Sequence, residues 1–245
     1  VQRGKDQTLE LAMVLDTTGS MAGNKIATLK KAAKSLVTKL STGAPAGAVK
    51  VGVVPFATYV NMGVASRNEA WANVPADQGS QKFQGCYGSP PYPQNVRDSD
   101  SGRRYPGFLN LTCSKQVTPL TGSASTVTSA IDALSASGNT YIPAGLAWGF
   151  NMLSPQAPIT DAAAYDTTGP NRKPRKALLL MTDGANTALM RANGDHEGTP
   201  PYGARAVQTD TYTTELCANL KAQKIEVYAV AFDIGSDTVA RNLVK

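Results

Sequence analysis

Four short apolar runs along the chain predict buried strands. They cover residues 9–15 (LELAMVL), 49–56 (VKVGVVPF), 177–181 (ALLLM) and 225–232 (IEVYAVAF). Three of these strands read as nearly continuous apolar runs without strict alternation, which is typical of strands that are covered on both faces of a sheet. The chain is therefore expected to surround its strands with helices.

Segments of helical periodicity separate these runs. In residues 26–40 the apolar side chains recur three or four residues apart with lysines between them, which predicts an amphipathic helix. Further helices are predicted over residues 125–135, 143–153, 211–222 and 236–244, and Pro at position 143 suits a first helical turn. The alternation predicts an α/β fold, a doubly wound and mostly parallel sheet flanked by helices, with residues 1–245 forming one domain.

An irregular stretch at about residues 60–118 interrupts the alternation. Between residues 61 and 118 it contains five prolines, six glycines and six aromatic residues without a sustained period. A stretch this long inside a compact domain needs some means of being held, so we expect an ordered insertion. Trp71 and its tyrosines either pack a satellite core or present a contact surface.

Two of the three cysteines, Cys86 and Cys113, lie in this insertion. A disulfide between them would replace missing core and contribute about 3–4 kcal/mol by restricting the unfolded chain. The alternative is three unpaired thiols in a cytosolic protein. Cys217, on a predicted helix, is hypothesised to have a partner beyond Lys245.

Composition narrows the class of protein. Hydrophobic residues make up 42% of the chain, enough for a substantial core, and charged residues 17%. The net charge of +6 is dispersed, without the basic stripe and interleaved aromatics of a nucleic-acid reader. No apolar run approaches the length of a membrane span. The chain starts at Val1 without a signal peptide, and we expect it to be a soluble piece of a longer protein.

Oxygen-bearing side chains follow two of the predicted strands. Asp16, Thr18 and Ser20 are separated by one residue each after the first strand, and Asp183 ends a later one. In doubly wound sheets ligands bind beyond the carboxyl ends of the strands. Carboxylate and hydroxyl oxygens suit Mg²⁺, Mn²⁺ or Ca²⁺, and few carboxylates among several hydroxyls suits Mg²⁺ best.

The motif DTTGSM at positions 16–21 resembles the Asp-x-Ser/Thr-x-Ser motif that begins the metal-ion-dependent adhesion site of von Willebrand factor A domains. Thr140 in SGNTYIPAGL and Asp183 in LLLMTDGAN fill the remaining two positions of that site in the right order. Thr18 replaces the commoner Ser but keeps the oxygen. The resemblance implies Asp16, Thr18, Ser20, Thr140 and Asp183 as metal ligands. It also implies a binding protein rather than an enzyme, with an acidic side chain of a protein partner completing the metal shell.

Longer segments narrow the resemblance. VPFATYVN, CYGSPPYP, SASGNTYIPAGLAWGF and LLLMTDGANT are similar to bacterial Tad (tight adherence) pilus-assembly proteins of the TadG type. This resemblance implies an extracytoplasmic location, a membrane anchor outside these residues, and partners among pilus or cell-envelope components.

Two other readings of the candidate site stay open. Asp-x-Thr-Gly-Ser also resembles the phosphorylation motif of Mg²⁺-dependent phosphotransferases, in which Asp16 would be the nucleophile. A metal-silent von Willebrand factor A scaffold is the other alternative.

Several residues near these motifs are expected to have no role in binding. His196 is predicted to be a solvated loop residue within a polar loop over 185–206. Asp233 is predicted to be a turn or cap residue, and Trp148 and Phe150 are expected to be core.

Overall fold

The structure, a computed structural model, describes residues 8–98, 102–165, 174–197 and 204–232. Its strands are β1 (Leu9–Asp16), β2 (Val49–Phe56), β3 (Val60–Asn61), β4 (Ala72–Asn73), β5 (Phe83–Tyr87), β6 (Tyr105–Leu109), β7 (Thr118–Thr121), β8 (Arg175–Thr182), β9 (Leu189–Met190), β10 (His196–Glu197) and β11 (Glu226–Ala231). Its helices are α1 (Asn24–Ser41), α2 (Ala124–Asp132), α3 (Ile142–Leu153) and α4 (Ala204–Ala222).

In the part of the chain that the structure describes, nine strands form one mixed sheet. Its order is β11-β8-β1-β2-β3-β5-β6-β4, and β7 pairs with β2 off this path. The consecutive strands β11, β8, β1 and β2 are parallel, whereas β3, β5 and β6 continue the sheet in antiparallel pairs. The predicted α/β fold with a mostly parallel core sheet is confirmed, and the insertion extends that sheet.

Alternate residues of β1 enter the two halves of the core. Met13 packs with the apolar faces of α1 and α2, whereas Val14 packs with α3 and α4. This division follows from the two-residue side-chain period of a strand. On α1, Leu29, Ala33 and Val37 are buried at four-residue intervals, as the sequence pattern predicts.

Helix α3 is buried along its whole length, and two glycines allow this. A Cβ at Gly145 would lie 2.7 Å from Phe56, and one at Gly149 would lie 2.6 Å from Val14. The helix therefore packs on the sheet more closely than an alanine would permit. Trp148 and Phe150 are each 1% exposed, which confirms them as core residues.

The insertion is held by a disulfide and by aromatic packing. Cys86 and Cys113 are bonded, with their Cα atoms 5.9 Å apart, as predicted. The Trp71 ring lies 5.1 Å from Tyr87 and 5.5 Å from Trp148, centroid to centroid. The buried aromatics of this region thus join the core between the sheet and α3 instead of forming a separate one, and Tyr92 is exposed. Cys217 is a free, half-buried thiol.

A buried arginine also fastens the insertion to α3. Arg103 donates hydrogen bonds to the Gln94 and Arg97 carbonyls and to Asn151 Oδ1, the last at 2.6 Å. Asn151 in turn donates to the Tyr105 hydroxyl at 2.6 Å. The guanidinium therefore satisfies loop carbonyls that would otherwise be buried without partners.

The prediction for His196 is wrong. The residue lies on β10, which pairs with β9 in a short hairpin inside the predicted polar loop, and it is only 2% exposed. Its Nδ1 donates to the Thr58 carbonyl at 2.5 Å, and the Ser89 hydroxyl lies 3.0 Å from Nε2. Its ring stacks between Tyr59 and Tyr141. Burial of an imidazole is possible here because both nitrogens have partners.

Two other boundaries differ from the sequence prediction. Helix α4 begins at Ala204, seven residues before the predicted start, and β7 starts at the predicted end of the insertion, where the sequence pattern predicts no strand. The helix predicted over 236–244 and the turn predicted at Asp233 lie outside the described residues. None of the helices that the structure describes is long and apolar enough to cross a bilayer.

Candidate metal centre

Asp16 ends β1 at the centre of the sheet. The register pairs Leu15 with Met181, which sets Asp16 beside Thr182 at the end of β8. The Asp16 carboxylate accepts from the Thr18 backbone N–H at 2.8 Å and from the Thr182 hydroxyl at 2.6 Å, one bond to each oxygen. Asp16 is fully buried. The end of the strand therefore presents a carboxylate whose position is fixed from two sides.

A chain of hydroxyls links this loop to Asp183. The short 3-10 turn Gly19–Met21 brings Ser20 Oγ within 3.0 Å of Thr18 Oγ1 and within 2.7 Å of Asp183 Oδ1. Because the Ser20 hydroxyl donates its single proton to Asp183, Thr18 must donate to Ser20. Three of the predicted ligands, Thr18, Ser20 and Asp183, are thus joined by direct hydrogen bonds.

Thr140 is joined to this group through the backbone. Gly19 N–H donates to the Gly138 carbonyl at 2.9 Å, and Gly138 has a φ of 88°, which favours glycine. Thr140 N–H donates to Thr187 Oγ1 at 2.8 Å, while its carbonyl accepts from the Thr187 N–H at 2.8 Å. Thr140 is 4% exposed. Its loop is therefore docked on the loop that follows β1 and pinned by the loop that follows β8.

The pKa of Asp16 reflects its burial and the neighbouring carboxylate of Asp183. Burial raises the pKa of Asp16 to about 6, against the hydrogen bonds from Thr182 and Thr18, which lower it. The nearby Asp183 carboxylate raises the pKa further. Two carboxylates this close repel each other unless a cation lies beside them.

Such a cation is present as a side chain that the sequence analysis missed. Lys25 Nζ lies 2.7 Å from Asp183 Oδ2, on the opposite carboxylate oxygen from Ser20. The Lys25 side chain is 30% exposed and that of Asp183 only 1%. Nothing in the sequence marks Lys25 among the other lysines of α1, whereas Thr182 could have been suspected from its place at a strand end.

The donor set fits a hard divalent cation. In the described ranges no group of three or more His, Cys, Asp or Glu side chains comes together. Two carboxylates, Asp16 and Asp183, and the hydroxyls of Thr18 and Ser20 come together at the candidate centre. Such an oxygen set, completed by water, suits Mg²⁺, whereas zinc prefers nitrogen and sulfur ligands.

No protein-family model matches the sequence, and no curated protein does either. Solved structures do match it. The vWF domain of the type V pili tip protein Mfa5 from Porphyromonas gingivalis has a TM-score of 0.54 at 11% identity, covering 97% of this chain and 85% of that one. A structure of three N-terminal domains of Mfa5 has a TM-score of 0.54 at 13% identity, covering 97% and 44%.

The pilus adhesin SpaC from Lactobacillus rhamnosus GG, in its open conformation, has a TM-score of 0.47 at 17% identity over 91% of this chain. The chain spans only 24% of that adhesin's length. The parallel β11-β8-β1-β2 core between two helical layers, together with the Mfa5 likeness, shows that this chain has the fold of a von Willebrand factor A domain.

Proposed function

We propose that the chain binds a divalent cation, Mg²⁺ best, through Asp16, Thr18, Ser20, Thr140 and Asp183, and uses it to hold an acidic group of a protein partner. The observation that carries this proposal is the hydrogen-bonded chain from Thr18 through Ser20 to Asp183, with the buried carboxylate of Asp16 at its base. A bound cation would supply an exchangeable, electrophilic position for the partner's carboxylate.

Two of the proposed ligands are charged and the other three are neutral. Asp16 and Asp183 offset the charge of the cation, and the neutral hydroxyls add oxygen ligands without adding charge. Ser20 is exposed whereas Asp16 is fully buried. A partner would therefore approach from the side of Ser20, and the buried carboxylate would face the ion alone.

We further propose that the domain works outside the cytoplasm, in a Tad-type pilus-assembly protein whose membrane anchor lies outside these residues. The Cys86–Cys113 disulfide supports an oxidising compartment. The structural neighbours, whose names describe pilus tip and adhesin proteins, support partners among pilus or cell-envelope components.

Titration calorimetry with Mg²⁺, Mn²⁺ and Ca²⁺ tests the metal site. The wild-type chain is expected to bind at least one of them and to melt at a higher temperature in its presence. Asp16→Ala is expected to abolish both effects. Asp132→Asn is a matched control, because Asp132 is an exposed carboxylate that pairs with Lys34 away from the site. Equal responses to Mg²⁺ in Asp16→Ala and wild type would refute the proposal.

A metal-silent scaffold is the second candidate, and the Lys25–Asp183 ion pair favours it. In that case the ammonium permanently neutralises Asp183, and none of the three cations gives a binding isotherm. A phosphotransferase is a weaker alternative, since the fully buried Asp16 has no surface open to a phosphoryl donor. Incubation with acetyl phosphate and Mg²⁺ is expected to leave the mass of the protein unchanged.

A further inference from the structure

The ion pair between Lys25 and Asp183 joins an accessible cation to a buried anion. The ammonium lies 2.7 Å from Asp183 Oδ2, and the carboxylate is 1% exposed. The lysine side chain keeps 30% of its surface in contact with solvent. Lys25 can therefore exchange Asp183 for water once another cation neutralises the buried carboxylate, whereas Asp183 cannot follow it.

The place of Lys25 in α1 is itself unfavourable for a positive charge. Lys25 is the second residue of the helix, where the exposed backbone N–H groups and the helix dipole disfavour a positive charge. The first turn has no acidic residue, and Gly23 gives no side-chain cap. The carboxylate of Asp183 offsets this unfavourable position of the charge.

We propose that Lys25 is a built-in competitor for the divalent cation at Asp183, which holds the carboxylate when the cation is absent and is displaced when it binds. This inference rests on the proposed function of the same site. It assigns to Lys25 the control of metal affinity, a role separate from that of the five ligands.

Charge explains both halves of this behaviour. Without Lys25, the site would present two neighbouring carboxylates, and the metal-free protein would bear their repulsion. With Lys25 in place, an entering dication meets one net negative charge instead of two, and it must displace the ammonium from one oxygen of Asp183. The lysine thus stabilises the metal-free fold and weakens the binding of the metal.

Calorimetric titration of charge variants with Mg²⁺ and Mn²⁺ tests this inference. Lys25→Gln is expected to bind the cation at least about tenfold more tightly than wild type, because the competing charge is gone. Lys31→Gln is the matched control, since Lys31 is an exposed lysine of the same helix and its loss changes the net charge equally. Its affinity is expected to stay within about twofold of wild type, as solvent and salt screen the distant charge.

Melting temperatures without added metal supply a second readout with the opposite sign. Lys25→Gln is expected to melt below wild type in EDTA and to gain more from saturating Mg²⁺. A residue with a merely structural role would lose stability without gaining affinity. Lys25→Arg keeps the charge and serves if Lys25→Gln does not fold without metal. It is expected to bind no more tightly than wild type.

The outcomes separate this inference from the proposed function. Wild-type binding with unchanged or weaker affinity in Lys25→Gln, or tighter binding in Lys25→Arg, overturns the role of Lys25 and leaves the metal site standing. Binding by Lys25→Gln alone supports the inference in its strongest form. No binding by either protein overturns both proposals.

Discussion

At the scale of single residues, Thr182 has the clearest indirect role at the candidate centre. Its hydroxyl donates to Asp16 Oδ2 at 2.6 Å, and the carboxylate has its other oxygen on the Thr18 backbone N–H. Thr182 is fully buried. It therefore orients Asp16 without reaching the proposed ion itself.

Thr182→Val removes this hydrogen bond while keeping the shape of the side chain. We expect the affinity for Mg²⁺ to fall roughly tenfold or more, in the range seen when partners that orient metal ligands are lost. Thr182→Ser keeps the hydroxyl and is expected to bind within a few-fold of wild type. Calorimetry on both variants decides the matter, and equal affinities would show that Thr182 does not position Asp16.

His196 gives the fold a dependence on pH. Burial lowers the pKa of His196 from 6.5 to about 4, so the folded protein keeps the imidazole neutral while the unfolded chain binds a proton. The stability that neutral His196 contributes is fully present above pH 6.5 and is lost as the pH falls towards 4. The loss amounts to about 3 kcal/mol over this window.

The raised pKa of Asp16, about 6, acts in the opposite direction over part of the same range. The contribution of His196 is therefore measured as a difference between proteins. Urea unfolding of wild type and His196→Gln at pH 7.5, 6.5, 5.5 and 4.5 (approximate set points spanning the two pKa values) is expected to show wild type losing more stability on acidification. Parallel pH profiles would contradict the assignment.

Much of the candidate centre could be predicted from sequence because its residues follow strands. Asp16 and Asp183 end apolar runs, and parallel strands bring their carboxyl ends to one edge. The ion pair of Lys25 with Asp183 could not be predicted, since it depends on how the first turn of α1 faces the end of β8. The burial of His196 was not predicted, because its neighbours in the sequence are polar. Its partners, Thr58 and Ser89, are distant along the chain.

At the scale of elements, α3 packs closely against the sheet because Gly145 and Gly149 have no Cβ atom. Intrinsic helix propensity alone would make Gly149→Ala stabilising by about 1 kcal/mol. The added Cβ, however, would lie 2.6 Å from Val14 Cγ2 and 2.7 Å from Leu178 Cδ1. Both atoms belong to buried strand residues that have little room to move.

Gly149→Ala is therefore expected to lower the free energy of unfolding by about 1–3 kcal/mol, because overpacking outweighs propensity. Gly122→Ala is the control, since a Cβ there would meet Val49 O only at the ordinary contact distance of 3.7 Å. Urea denaturation of the two variants gives the comparison. A stabilised Gly149→Ala would show that α3 can move away from the sheet.

Elements with a strong period were predictable, and those without one were not. The start of α4 was missed because residues 204–210 (ARAVQTD) have no recurring apolar stripe and follow the Pro/Gly-containing stretch 199–203 (TPPYG). In the structure, Thr211, Thr213 and Thr214 donate their hydroxyls to the carbonyls four residues earlier. These threonines lie within the predicted part of the helix, which gives their hydroxyls backbone partners.

At the scale of the whole molecule, the insertion became part of the sheet instead of a separate loop. β3, β5 and β6 extend the parallel core beyond β2 in antiparallel register. These strands are two to five residues long, too short for a recognisable period. The sequence could predict their cross-link but not their pairing, which depends on contacts with β2 and α3.

Removal of the disulfide by Cys86→Ser with Cys113→Ser is expected to cost about 3–4 kcal/mol of stability, because the bond closes a loop of 27 residues in the unfolded chain. Denaturant unfolding of this variant is compared with Cys217→Ser, which changes only the free thiol. A double variant as stable as wild type would mean that the aromatic packing alone holds the insertion.

The central position of β1 has a mechanical consequence. β1 is flanked by β2 over eight paired residues and by β8 over seven, both parallel to it. A tether fastened at the end of β1 that pulls along the strand would load both ladders in shear, so their bonds share the force instead of opening one after another. A domain that binds its partner at this end of β1 can resist a pull directed along that strand.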